Sequence, residues 1–291
     1  MIGGIWSAVL TPITADLAPN AALAIPYYQY LLERGCHGIN LLGTTGEAMS
    51  FSADQRVTFM ETVASSGVPK ERVMTGTGAA SLADAVRLTR CAFDCGFAAA
   101  LIMPPFFFRD AGDDGIVGFF DALLGRAGAR PNSVLLYNFP RMSGIAFRSD
   151  LVDRLLEEFP GIVAGMKDSS NDPQLQGEIL SRHPELAVLP GSESDLLAAK
   201  ARGVSGCISG SVALWPELAH AAFATNDQER GATLTRARAA LDGVPFVPAV
   251  RYLTATLREE PAWQRWMPPQ PALTPEQRDA LERAIAPFYG Y

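Results

Sequence analysis

Lysine is scarce in this chain. The 24 basic residues include only three lysines, Lys70, Lys167 and Lys200. Lys70 lies in the polar turn Pro69-Lys70-Glu71-Arg72 and Lys200 near the end of a helical stretch, where a charge stays hydrated. Lys167 instead follows Ile162-Val163-Ala164-Gly165-Met166, inside an apolar run. A buried ammonium is costly unless it is paired. Either Asp168 or Glu47 neutralises Lys167 and the pair merely ties strands together, or the side chain works as a neutral amine, a nucleophile toward a carbonyl carbon. Tyr137 ends the neighbouring apolar run, Ser133–Asn138. Its phenol can pass protons to and from a carbinolamine, or simply cap the core through a hydrogen bond. Thr44 and Thr45 stand between Gly43 and Gly46. Their hydroxyls and the backbone N–H groups around them suit a small carboxylate, whereas the plainer alternative is a tight turn with Thr45 as a helix cap.

These residues need a scaffold that brings distant segments to one place. Near-continuous apolar runs recur at Ile5–Pro12, Gly38–Thr44, Val73–Gly78, Ala98–Pro105, Ser133–Asn138, Val163–Asp168, Leu186–Gly191 and Gly206–Ser211. Runs without alternation read as strands buried on both faces, as in a parallel sheet. Amphipathic stretches lie between most of them. Ser52-Ala-Asp-Gln55 and Ser81-Leu-Ala-Asp84 have the form of capping boxes, and Gly35, Gly96 and Gly203 fit helix ends. Eight such units predict an α/β (β/α)8 TIM barrel over residues 1–223, with a doubly wound open sheet as the weaker alternative. Residues 224–291 predict a C-terminal α-helical extension, with helices over Asp227–Asp242, Pro248–Glu260 and Thr274–Phe288. The Pro- and Trp-rich stretch between the last two reads as an ordered turn. In a barrel, chemistry gathers at the C-terminal strand ends, where Thr44, Tyr137 and Lys167 all fall.

Composition narrows the function classes. Of 291 residues, 48% are hydrophobic and 19% charged, the balance of a globular chain. The net charge of −7 and a pI near 5.1 argue against a nucleic-acid partner. No apolar run approaches the roughly 20 residues of a membrane span, and no basic residue precedes Arg34, so the expectation is a soluble, cytoplasmic protein. Cys36, Cys91, Cys95 and Cys207 read as reduced, buried thiols, and His37, His183 and His220 have no metal-ligand spacing, so no metal is expected.

Taken together, Leu10-Thr11-Pro12, Gly43-Thr44-Thr45-Gly46-Glu47, Tyr137-Asn138-Phe139-Pro140 and Gly165-Met166-Lys167-Asp168-Ser169-Ser170 resemble the dihydrodipicolinate synthase and N-acetylneuraminate lyase superfamily, the pyruvate-dependent class I aldolases. The resemblance spans nearly the whole chain. It implies that Lys167 forms a Schiff base with C2 of pyruvate, that Tyr137 shuttles protons, and that Thr44 relays protons while Thr45 helps hold the carboxylate. It places Gly43, Gly191, Ile208 and Ser209 in the substrate pocket, requires no cofactor, and implies a homotetramer.

Departures from the synthase pattern bear on the substrate. Synthases carry a Tyr-Tyr pair after the fourth-strand proline, where this chain has Phe106 and Phe107. They also carry an arginine five residues after the catalytic tyrosine, where this chain has Met142, with Arg141 one residue early. The expectation is a lyase, aldolase or dehydratase, acting on pyruvate or a 2-keto-3-deoxy sugar acid. Alternatives are a 4-hydroxy-tetrahydrodipicolinate synthase, a barrel enzyme using pyridoxal phosphate, and a non-catalytic 2-oxo-acid sensor. Arg109 and Arg141 are candidates for the distal end of an acidic substrate, Ser192 and Glu193 for its hydroxyls, and the run Phe106-Phe107-Phe108 for a subunit contact.

Overall fold

The computed structural model describes residues 2–290. Eight strands appear where the apolar runs place them: β1 (Gly4–Ala8), β2 (Gly38–Leu41), β3 (Val73–Gly76), β4 (Ala99–Ile102), β5 (Val134–Asn138), β6 (Val163–Asp168), β7 (Ala187–Pro190) and β8 (Gly206–Ser209). All pair in parallel, in the order β7-β6-β5-β4-β3-β2-β1-β8. At the remaining seam the Ser205 N–H donates to the Val188 carbonyl at 2.9 Å, and the sheet forms a (β/α)8 barrel. Several strands stop before the apolar run does. After β2, for example, Leu42 turns to φ 49° and carries the chain out of the sheet into a loop.

Alternate side chains on each strand serve two cores, as the two-residue period of a strand requires. Outward residues such as Ile5, Ile39, Val73 and Val188 pack beneath the helices. Inward residues, among them Trp6, Met74, Leu101, Leu135, Leu189 and Ile208, fill the barrel itself. Burying each such side chain stabilises the fold by about 1.5–3 kcal/mol.

The helix signals hold with one correction. Ser52 and Gln55 form the reciprocal capping box that their spacing predicts. Ser81 accepts from the Asp84 N–H, but Asp84 does not reach back, being one methylene shorter than the Glu or Gln that completes a box. Gly35, Gly96 and Gly203 lie at φ 103°, 78° and 102°, just past the ends of their helices, where a Cβ would be strained.

Beyond the Pro216–Thr225 helix come three more, Gln228–Ala239, Phe246–Arg258 and Pro275–Ile285. The second begins two residues earlier than predicted. Pro248 sits in its first turn, where the missing N–H would have had no helical partner. The Pro- and Trp-rich turn is ordered: Trp263 is buried, 4.8 Å from the Tyr27 ring in an edge-on contact. No helix among the described residues is long and apolar enough to cross a membrane.

Candidate active site

The direction of Lys167 depends on an irregularity in β6. Val134 stands opposite Val163, but Leu135 stands opposite Gly165, so Ala164 is an extra residue in the strand. In a regular strand an inward Ala164 would put Met166 inward and Lys167 outward. The bulge shifts the phase by one residue. Accordingly Ala164 packs in the barrel interior, Met166 outward beneath the helices, and Lys167 inward. Gly165 makes this possible, because a Cβ there would lie 2.1 Å from the Ala187 carbonyl oxygen.

Lys167 is 4% exposed, and its Nζ lies 4.5 Å from the centroid of the Tyr137 ring, the residue opposite it in the β5–β6 ladder. The Tyr137 hydroxyl is 3.1 Å from Oγ1 of Thr44, close enough for either to donate. Neither carboxylate that sequence offered as a neutralising partner serves Lys167. Asp168 points to the other side of the strand and accepts from Asn138 Nδ2 (2.8 Å), Gln176 Nε2 (2.8 Å) and the Ser170 N–H (3.0 Å). Glu47 is taken by an arginine 204 residues away. Among the described residues, Lys167 has no ion-pair partner.

The loop holding Thr44 and Thr45 is fixed from both ends. Leu42 (φ 49°) and Glu47 (φ 53°) both occupy the left-handed region, which non-glycine residues rarely adopt. Glu47 is anchored where it stands: its carboxylate accepts from Arg251 Nε at 2.6 Å and from the Met267 N–H at 3.0 Å. Arg251, on the Phe246–Arg258 helix, also donates to the Thr11 carbonyl at 2.7 Å. Burial pushes the Arg251 guanidinium below its ordinary pKa, and the Glu47 charge opposes that shift. The extension thus clamps the loop after β2 through a buried ion pair. Truncating one partner leaves the other charge buried alone, so Arg251→Ala is expected to lower the unfolding free energy by about 3–5 kcal/mol in urea denaturation. A loss under about 1 kcal/mol would show that the clamp contributes nothing to stability.

A cavity of about 670 Å3 opens over these residues at the C-terminal strand ends. Thr44, Thr45, Tyr137 and Lys167 line it, as do Arg141, Gly191 and Ser209. Thr45 is not a helix cap: Glu47 occupies that position, and the Thr45 side chain packs against Gly210. Gly43 and Ile208 lie behind the wall. The Gly43 carbonyl accepts from the Ala48 N–H, and Ile208 belongs to the apolar filling of the barrel. Ser192 reaches the cavity, but Glu193 does not. It is fully buried and accepts from Trp215 Nε1 at 3.2 Å, because the chain turns it into the core after β7. Arg109 is also off the wall, donating to the Phe106 carbonyl at 3.3 Å and lying against Gly144. Phe107 and Phe108 are 74% and 68% exposed. Sequence reasoning missed Ser169, two residues past the lysine, and the residues that the extension adds to the wall, including Arg238, Asp242 and Phe246. A strand-end rule would have found the first. Only the fold brings the others in.

A model of the dihydrodipicolinate synthetase family matches residues 1–242. A protein of Chloroflexus aurantiacus named an uncharacterized DapA-like lyase is 35% identical over 243 residues, 83% of this chain and 80% of that protein. A 4-hydroxy-tetrahydrodipicolinate synthase of Alkalilimnicola ehrlichii is 29% identical over 250 residues, covering 85% and 84%. The crystal structure of dihydrodipicolinate synthase from Agrobacterium tumefaciens matches at 30% identity with a TM-score of 0.91, covering 99% of this chain and 100% of that one. With the family matched over most of its length and the barrel over nearly all of it, the chain belongs to the dihydrodipicolinate synthetase family.

Proposed function

We propose that this protein is a class I lyase that forms a Schiff base through Lys167 and acts on pyruvate or a 2-keto-3-deoxy sugar acid. The observation that carries the reading is an amine without a carboxylate partner, buried at 4% exposure beside a phenol that is itself bonded to Thr44. Lys167 attacks C2 of the keto acid, and Tyr137, relayed through Thr44, supplies the proton with which the carbinolamine hydroxyl leaves as water. The resulting iminium draws electrons from the C3–C4 bond. That bond breaks as the C4 hydroxyl loses its proton, releasing an aldehyde and leaving an enamine. Protonation at C3 and hydrolysis return pyruvate and the free amine. Thr45 and Ser209 shape the carboxylate end with their hydroxyls and Gly191 by leaving room, while Gly43 and Ile208 back that wall from behind. Arg141, exposed at the mouth, meets the far end of the substrate. The iminium is the electron sink, so the reaction needs no cofactor.

A condensation with aspartate semialdehyde is the second reading, favoured by the names of two relatives. Against it, Phe106 and Phe107 carry no hydroxyl and Met142 offers no charge for a second carboxylate. A site without the polar partner for a substrate group discriminates by roughly 10²-fold or more. The expected result is therefore pyruvate release from 2-keto-3-deoxygluconate with kcat/KM about 10²-fold above that for condensing pyruvate with aspartate semialdehyde. Faster condensation would assign the synthase reaction instead. Pyruvate binding without any adduct would mark a sensor. Exposed Phe107 and Phe108, stacked edge to face at 5.2 Å, support a homotetramer in which they are covered, and four free, buried cysteines support a cytoplasmic location.

A further inference from the structure

The cavity extends well past what a three-carbon keto acid fills. Its volume is about 670 Å3, against about 30 Å3 for one water in the liquid. The additional wall comes from outside the barrel. Phe246 packs against Gly210, next to Thr45, and the Arg238 guanidinium lies over the Phe246 ring, 5.1 Å from its centroid. The Gln228–Ala239 helix that carries Arg238 is tied to the loop after β7 by Thr235, whose hydroxyl donates to the Ser194 carbonyl at 2.6 Å.

The cavity lining, barrel and extension together, is charged in balanced pairs. Arg238 Nη1 meets Asp242 Oδ1 at 3.0 Å, and Arg202 Nη2 meets Asp195 Oδ2 at 2.9 Å, with all four residues on the cavity. Each pair presents guanidinium donors beside carboxylate acceptors. A hydroxyl can accept from the first and donate to the second at once, which is the requirement for reading a polyol. A phosphate can only accept, and it would sit against two aspartates that already neutralise the arginines.

Building on the Schiff-base reading above, we infer that the C-terminal extension supplies a second subsite, centred on the Arg238–Asp242 pair, for the uncharged polyhydroxylated tail of a 2-oxo acid. The subsite excludes the phosphorylated tail. The paired Arg202 and Asp195 line the same cavity, and the Phe246 ring packs against the Arg238 guanidinium.

The test is borohydride trapping on Lys167 across a range of concentrations, with pyruvate, 2-keto-3-deoxygluconate and its 6-phosphate as probes. In the wild-type protein, 2-keto-3-deoxygluconate is expected to reach half-maximal trapping at a concentration about tenfold or more below that of the 6-phosphate. Arg238→Ala and Asp242→Asn are each expected to raise the ratio of half-maximal concentrations, 2-keto-3-deoxygluconate over pyruvate, by about tenfold, the effect of losing one good hydrogen-bond partner. The pyruvate adduct in the same variants confirms that the barrel is folded and the amine is competent. Tighter trapping of the 6-phosphate, no trapping of 2-keto-3-deoxygluconate beside a normal pyruvate adduct, or an unmoved ratio in both variants would overturn the subsite. Absence of any pyruvate adduct in the wild-type protein would instead overturn the Schiff-base reading on which it stands.

Discussion

Lys167→Ala is expected to yield no borohydride-stable adduct with pyruvate and no turnover of any 2-oxo acid. The reason is that, among the described residues, no other lysine lines the cavity. Lys200 donates to the Phe223 carbonyl and lies over the Phe223 ring, off the cavity lining, and Lys70 lines a separate cleft beside Cys91 and Cys95. The loss is chemical and not structural. Lys167 neutralises no carboxylate, so its removal leaves no orphaned charge, and the truncation deletes a polar group that is costly to bury. The variant should therefore unfold in urea at or above the wild-type midpoint while being inert. An adduct that survives in Lys167→Ala, located by peptide mass mapping, would place the nucleophile elsewhere.

Tyr137→Phe is the second large effect, and it separates acid–base work from packing. Phenylalanine keeps the ring beside Nζ and the contact with Phe139, 5.9 Å between centroids, and removes only the hydroxyl and its bond to Thr44. Losing a positioned proton carrier costs about 10²–10³ in rate, so single-turnover adduct formation is expected to slow by that factor. Folding should change by no more than about 1 kcal/mol, the net contribution of one hydrogen bond. Adduct formation within threefold of wild type would reassign the proton transfer to Thr44 or to solvent.

The residues that carry the proposed chemistry were legible because their signal is local. An isolated lysine in an apolar strand, a tyrosine closing the next strand and a threonine pair between glycines can each be read within a few positions. Strand positions and the barrel followed from the same apolar runs. What sequence left open was direction. Whether Lys167 faced a carboxylate or the cavity turned on a single extra residue, Ala164, whose bulge no period-two pattern announces. The sequence offers Glu47 to Lys167, but Arg251 holds it, and nothing local links positions 204 residues apart. Glu193 stands at a strand end as Ser192 does, yet a turn of the chain buries one and exposes the other to the cavity. Arg238 and Asp242 carry no local signal in the sequence. They gain a role only because the extension folds back over the barrel mouth.

The most direct measurement is the structure of a crystal soaked in pyruvate. Continuous density from Lys167 Nζ to C2 of the keto acid, with the Tyr137 hydroxyl alongside and the carboxylate against Thr44 and Thr45, is the predicted result. A free keto acid resting beside an unmodified Lys167 would contradict the account at its centre.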